Sequence, residues 1–284
     1  MGSLFDNPSP IQGPHENRPY TGGRPPAPLV LIHDGGGTIF SYHCLGDLAR
    51  DVYGISNPHY QTGEKWGSIP EMAREYVKFV RAAVPRGGPV ILGGWSLGGL
   101  VSLEVARQLA NDDNSGDQDQ QPPRLTVLGI VMIDSVCPLG RTAPILPVVR
   151  HALVWGEHTR QDTKDRIMRC FAEASDLIGR WTLPEWPAPA DPGPGPGPEK
   201  SRPSPPPVVL LRATDPVPVP ADYRVDAAAD ANRRDRRLGW GRYREDLIVK
   251  VIDVPGHHFT VFIGEDRLAA MTEAIRQACR ALEG

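Results

Sequence analysis

The sequence predicts an α/β protein: a mostly parallel central sheet flanked by helices, with a helical insertion late in the chain. Three observations predict it. Short, near-continuous apolar runs alternate with segments of helical spacing over residues 29–137 and again over 208–284. One strand-to-helix junction, Gly94-Trp95-Ser96-Leu97-Gly98, frames a lone serine with glycines. The alternation then stops over 138–207, where no strand pattern is found.

Taken in order, residues 1–28 are rich in Pro, Gly and polar residues and read as a flexible N-terminal arm. Leu29-Val30-Leu31-Ile32 is the first strand, followed by "HDGGGT" and a helix expected over about 40–51. "VYGISNP" reads as a short strand ending in a turn. A helix over 69–84 carries Met72, Ala73, Tyr76, Val77 and Val80 on one stripe. Val90-Ile91-Leu92 is a buried strand, and the helix after it repeats apolar residues at Leu97, Leu100, Val101, Val105 and Leu109. Residues 111–124 form a polar surface loop, and "LGIVMID" is the next buried strand.

Within the insertion, helices are expected near 144–156 and 162–182, the second striped by Ile167, Phe171, Ala174, Ile178 and Trp181. Residues 183–207 hold 11 of the 31 prolines, which marks a linker of polyproline character rather than core. "VVLLRATD" and "LIVKVIDV" resume the sheet, and a helix over 267–282 closes it. An insertion at strand C-termini lies over the ligand crevice of such a sheet, so 138–207 is expected to act as a lid; packing on the sheet edge is the alternative.

Composition narrows the function. With 284 residues, 40% hydrophobic, the chain can bury one substantial core. A net charge of −3 gives no footprint for nucleic acid. No apolar run approaches a membrane span, and no secretory leader is recognisable, so a cytoplasmic enzyme is expected. Cys44, Cys137, Cys170 and Cys279 are scattered without zinc-ligand spacing, so neither metal nor other cofactor is expected.

The glycine-framed serine is the chemical signal. In a nucleophile elbow the chain turns sharply from strand to helix, lifting the hydroxyl clear of the sheet. The next N–H, that of Leu97, then points at a developing oxyanion. Such a serine needs a base. His257 and His258 follow the last strand at the same sheet edge as the elbow, and either fits by position. The acid that orients the base has two candidates, Asp134 ending "GIVMID" and Asp215 ending "VVLLRATD". The glycines of "HDGGGT" allow close backbone approach, so Gly35 or Gly36 is expected to supply the second oxyanion N–H.

Together "GGWSLGG", "IVMIDS" and "VPGHHF" resemble the thioesterase domains that release chains from polyketide and nonribosomal peptide synthases. The likeness runs over 28–282, and "LIHDGGGT" is similar to the fungal polyketide-type branch. The resemblance implies an α/β-hydrolase fold and a Ser96, Asp134, His258 triad, with Asp215 and His257 as alternates. It further implies release of an acyl or polyketide chain, by hydrolysis or cyclisation, from the phosphopantetheine arm of an acyl carrier domain, through an acyl-serine. No synthase module precedes the chain, so action in trans is expected. An esterase, lipase or acyltransferase acting on a diffusing ester is the alternative within the same chemistry, and a non-catalytic hydrolase-fold binding protein the alternative outside it. The stretch "NRRDRRLGWGRYRED" gathers Arg233, Arg234, Arg236, Arg237, Arg242 and Arg244, and reads either as a docking patch for an acidic carrier or as a solvated loop whose charges pair locally.

Overall fold

A computed structural model describes residues 6–13, 25–112, 123–140, 146–186, 204–219 and 227–284. Among them, seven strands form one sheet: β1 (Ser9–Gln12), β2 (Leu29–Ile32), β3 (Val52–Ile55), β4 (Gly88–Trp95), β5 (Leu125–Ile133), β6 (Val208–Ala213) and β7 (Ile248–Val254). Their order is β1-β3-β2-β4-β5-β6-β7, with every neighbouring pair parallel except β1 with β3. The helices are α1 (Phe40–His43), α2 (Ile69–Ala83), α3 (Leu97–Asp112), α4 (Leu146–Ala152), α5 (Gln161–Arg180) and α6 (Glu265–Glu283). This is the mostly parallel α/β arrangement that the alternating pattern predicts, and it agrees with the α/β-hydrolase fold that the resemblance implies.

The inner strands bury both faces, because successive side chains point to opposite sides of the pleat. Val30, Ile32, Val90, Leu92, Ile130, Met132, Val208 and Leu210 join the stripes of α2 and α3 in one cluster. Leu29, Leu31, Ile91, Val131, Ile133, Val209 and Leu211 join Met271, Ala274, Ile275 and Ala278 of α6 in another on the opposite face. Helix α2 begins where its chemistry says it should: Ser68 Oγ accepts the Glu71 N–H at 3.2 Å and Pro70 lies in the first turn.

Two local expectations are corrected. The arm is not wholly loose, since residues 9–12 form β1, the antiparallel edge strand on β3. Its pairing is tertiary: the Gln12 side chain accepts the Leu48 N–H and donates to Gly46 O, and Asn7 accepts the Ser56 N–H. The helix expected over 40–51 stops at His43. Ala49 takes a left-handed φ of 56°, and the Gly46 N–H is drawn to Thr272 Oγ1 on α6, so the chain leaves helical geometry while still burying Leu45 and Leu48. Most of the remaining arm (residues 1–5 and 14–24), most of the polar loop at 111–124 (residues 113–122) and most of the proline-rich linker (residues 187–203) lie outside the described residues.

The insertion supplies α4 and α5. Helix α5 is held to the core by Glu173, which accepts the Trp66 N–H at 2.6 Å, and by Arg169, which donates to Tyr60 O at 2.7 Å. Phe171 joins Val148 and Val149 of α4, Ala227, Ala229 and Phe259 in a small separate cluster above the strand ends. Val148 and Val149 of α4 and Phe171, Ala174 and Ile178 of α5 thereby share a cleft with Ser96 and His258.

Candidate active site

The elbow is built as its residue types demand. Ser96 has φ 56°, between β4 and α3. The glycines two positions away are required by close approach to β2. A Cβ on Gly94 would lie 2.6 Å from Ile32 O, and one on Gly98 2.3 Å from the same oxygen. The serine backbone is pinned from both sides: its N–H donates to Ile133 O at 2.8 Å and its carbonyl accepts Ser135 Oγ–H at 2.7 Å.

Three side chains from distant parts of the chain meet here. His258 Nε2 lies 3.0 Å from Ser96 Oγ, and His258 Nδ1 lies 2.8 Å from Asp134 Oδ2. An ionised carboxylate only accepts, so Nδ1 carries the proton, and Nε2 is left to accept from the serine hydroxyl. Asp134 has φ 46°, and its side chain is fully buried. Burial alone would raise its carboxyl, but hydrogen bonds from Arg233 and His258, and their charges, hold it down to about 2.

The alternates lie elsewhere. Asp215 is exposed and accepts from its neighbour Thr214 Oγ1 at 3.0 Å. The His257 ring turns back on its own loop, where Nδ1 accepts the Phe259 N–H at 3.3 Å. Burial, then the neighbouring His258, lowers the His257 pKa.

The "HDGGG" loop lies opposite. Buried His33 donates from Nδ1 to Asp34 O at 2.5 Å and accepts Tyr76 O–H on Nε2 at 2.6 Å, which ties the loop to α2. Burial lowers the His33 pKa to about 4, so the ring is neutral. The Gly36 N–H donates to Asp34 Oδ1 at 3.0 Å and is thereby already engaged within its own loop. Gly35 instead lines the cleft with Ser96 and Leu97. The Leu97 N–H opens α3, where N–H groups have no intrahelical acceptor and the helix dipole favours negative charge.

The cleft is narrow, with about 40 Å³ of room for solvent. Val148, Val149, Phe171, Ala174, Ile178 and Phe259 make its walls apolar. Phe171 lies directly over the glycine loop: a Cβ on Gly35 would come within 2.8 Å of its ring. Ala227, Ala228 and Ala229 complete the wall.

Sequence reasoning missed one participant. Arg233, read as part of a basic surface stretch, is only 11% exposed and grips Asp134 with both terminal nitrogens. No local pattern marks it, because its partner is 99 residues away. Other arginines of the stretch are exposed or half-buried and make local contacts: Arg244 pairs with Asp246, Arg236 with Asp253, and Arg237 donates to Glu245 O. Trp240, fully buried with its indole N–H on Ser135 O at 2.7 Å, anchors that loop.

Comparison with known proteins supplies the family. The thioesterase-domain family model matches residues 27–139. Thioesterase frbE of Dothideomycetidae sp. (strain 11243) is 38% identical over 92% of either chain. Probable thioesterase gloN of Glarea lozoyensis is 34% identical over 97% of this chain and 98% of its own. Among solved structures, the covalent complex of the NocB thioesterase domain with a fluorophosphonate nocardicin G analog superposes with a TM-score of 0.61. It is 28% identical and covers 89% of this chain and 94% of that one. Among the described residues, no helix is long and apolar enough to cross a membrane. With 38% identity to a thioesterase over nine-tenths of its length and a mostly parallel sheet closed by a nucleophile elbow, the chain belongs to the thioesterase family and is a hydrolase of thioesterase type.

Proposed function

We propose that the protein is a serine thioesterase of secondary-metabolite biosynthesis that releases an acyl or polyketide chain from the phosphopantetheine thioester of an acyl carrier domain presented in trans. The observation that carries this reading is the continuous hydrogen-bond relay from Ser96 Oγ through His258 to Asp134, opening onto an apolar cleft.

In the proposed reaction Ser96 Oγ attacks the thioester carbonyl while His258 Nε2 takes the hydroxyl proton. Asp134 stabilises the imidazolium and stays ionised. The Leu97 and Gly35 N–H groups receive the oxyanion. The C–S bond breaks as His258 returns the proton to the leaving thiol, and an acyl-Ser96 ester remains. Water, or a hydroxyl or amine of the chain itself, is then deprotonated by His258 and attacks the ester. The free acid or the cyclised product leaves and Ser96 is regenerated. The apolar cleft walls fit a hydrocarbon-rich acyl portion.

The test is intact-mass analysis after exposure to acyl-carrier thioesters. An acyl adduct that maps to Ser96 and is absent from Ser96→Ala is the expected result. Near-wild-type turnover by Ser96→Ala removes the proposal, since losing such a serine costs on the order of 10⁴-fold or more in rate.

A further inference from the structure

Arg233 makes more contacts at the candidate site than any surface role would need. Nη1 donates to Asp134 Oδ1 at 2.6 Å and Nη2 to Asp134 Oδ2 at 2.8 Å, a two-pronged pair on the carboxylate. The remaining donors are also used: Nη1 reaches Ala213 O at 3.0 Å, Nη2 reaches Ala229 O at 3.0 Å, and Nε reaches Asp230 Oδ1 at 2.9 Å. All five guanidinium hydrogens therefore have acceptors, and no freedom is left to the head group. Asp230 is itself fixed by the Val217 N–H at 2.6 Å. A lysine has neither the planar fork nor the number of donors to do this.

From this geometry we infer that Arg233 is a positioning residue of the triad, which fixes the Asp134 carboxylate for His258 and sets the pH at which the His258–Asp134 pair becomes a working base. The inference rests on the triad proposed above. Asp134 already accepts the Ala213 N–H on Oδ1 at 2.9 Å, and the fork holds both oxygens in one plane so that Oδ2 faces His258 Nδ1. The guanidinium charge also opposes the extra proton that turns the pair into its inactive form. Other charged or titratable groups around the pair are Asp230, Arg212 of β6, which donates to Arg233 O and pairs with Asp253 of β7, and His257 with Asp215 and Arg267 near its ring. None of them touches the carboxylate as Arg233 does. Through Ala229 O and Asp230, the same side chain fastens the alanine wall of the cleft to the triad acid.

Removing the positive charge makes the pair take up a proton more readily, whichever of its atoms holds it. The pH below which the serine stops reacting must then rise. The experiment is the pH dependence of Ser96 labelling by a fluorophosphonate, read as intact mass, in wild type, Arg233→Met and Arg233→Lys. This readout needs only an activated serine. In Arg233→Met the acid limb is expected to move up by about one pH unit or more, with the plateau rate lowered about tenfold or more. In Arg233→Lys, which keeps charge but not the fork, the limb is expected to stay within a few tenths of a unit and the plateau to fall about tenfold.

A merely structural arginine would reduce the labelled fraction equally at every pH and leave the limb in place. Superimposable limbs for wild type and Arg233→Met overturn the inference while leaving the triad standing. Failure of wild type to be labelled on Ser96 at all overturns the triad itself. If Arg233→Met does not fold, Arg233→Lys decides alone: a plateau equal to wild type refutes the fork.

Discussion

Replacing Asp134 by Asn tests the site most severely, because the structure fixes what the amide must do. The carboxylate accepts four hydrogen bonds: from Ala213 N–H and Arg233 Nη1 on Oδ1, and from Arg233 Nη2 and His258 Nδ1 on Oδ2. An Asn can reproduce the first two with its carbonyl oxygen. Its NH₂ then faces two donors where the carboxylate offered a lone pair. His258 can only meet that NH₂ by presenting a bare Nδ1, which puts its proton on Nε2 and blocks the serine. On this reasoning turnover falls by about 10⁴-fold through the wrong tautomer alone. Stability falls too, since Arg233 loses a buried counter-charge and keeps only Asp230. Breaking such a buried pair costs on the order of 3–5 kcal/mol. At about 2–4 °C per kcal/mol for a domain of this size, Tm should drop by roughly 10 °C. The assay pairs thermal melting with turnover of an acyl N-acetylcysteamine thioester at a temperature where the variant remains folded. Asp215→Asn is the control, expected within about 0.5 kcal/mol of wild type in both readouts, because its carboxylate is exposed and accepts from its neighbour Thr214. An Asp134→Asn enzyme within tenfold of wild type, or an inactive Asp215→Asn, would refute the reasoning.

Three further outcomes are expected. Burial raises the Asp34 carboxyl from 3.8 to about 7, against the opposing Gly36 hydrogen bond, so the native state holds a proton that the unfolded chain has lost. Stability from this group is full below about pH 3.8 and is lost as pH rises through about 7, a cost of up to about 4 kcal/mol; Asp34→Asn should therefore melt higher than wild type at pH 8 and converge with it toward pH 4, and parallel Tm–pH curves would count against it. Phe171→Ala should widen the cleft above Gly35 and raise the kcat/KM ratio of bulky to short acyl thioesters, at a stability cost of about 3 kcal/mol; an unchanged ratio would remove Phe171 as a wall of the substrate site. Reversing exposed Arg234, Arg236 and Arg237 to Glu, with Arg233 left in place, should raise KM for a carrier-bound substrate and spare a small free thioester, an effect that fades with salt because surface charges are screened over about 10 Å at 0.1 M; equal effects on both substrates would remove the loop as a docking surface.

The parts legible in the sequence are those whose cause is local. The serine between Gly94 and Gly98 announces a strand–turn–helix because only glycines allow the backbone contacts such a turn makes. Helix α2 is spelled out by its stripe and by Ser68 and Pro70 at its start. The alternation of buried strands and helices is enough to predict a parallel sheet, since each βαβ unit is contiguous in the chain. Other features depend on which distant segments become neighbours. Edge strand β1 has no pattern of its own and exists because β3 offers a free row of hydrogen-bonding groups. Gly35 and Gly36 are equivalent in sequence, and only the turn of Asp34 onto the Gly36 N–H separates them. Asp134 and Asp215 both follow strands at the same sheet edge, so order along the chain leaves them equal. The three-dimensional arrangement brings His258 onto Asp134 and leaves Asp215 in solvent. Arg233 stands in a run of surface-like arginines, and what distinguishes it is a carboxylate 99 residues earlier that burial would otherwise strip of its charge. Sequence by itself determined the inner strands, the longer helices and the chemistry they can carry, because propensity and periodicity act over a few residues. Tertiary structure alone decided which charged groups meet, because the free energy of a buried charge is set by neighbours that only folding brings together.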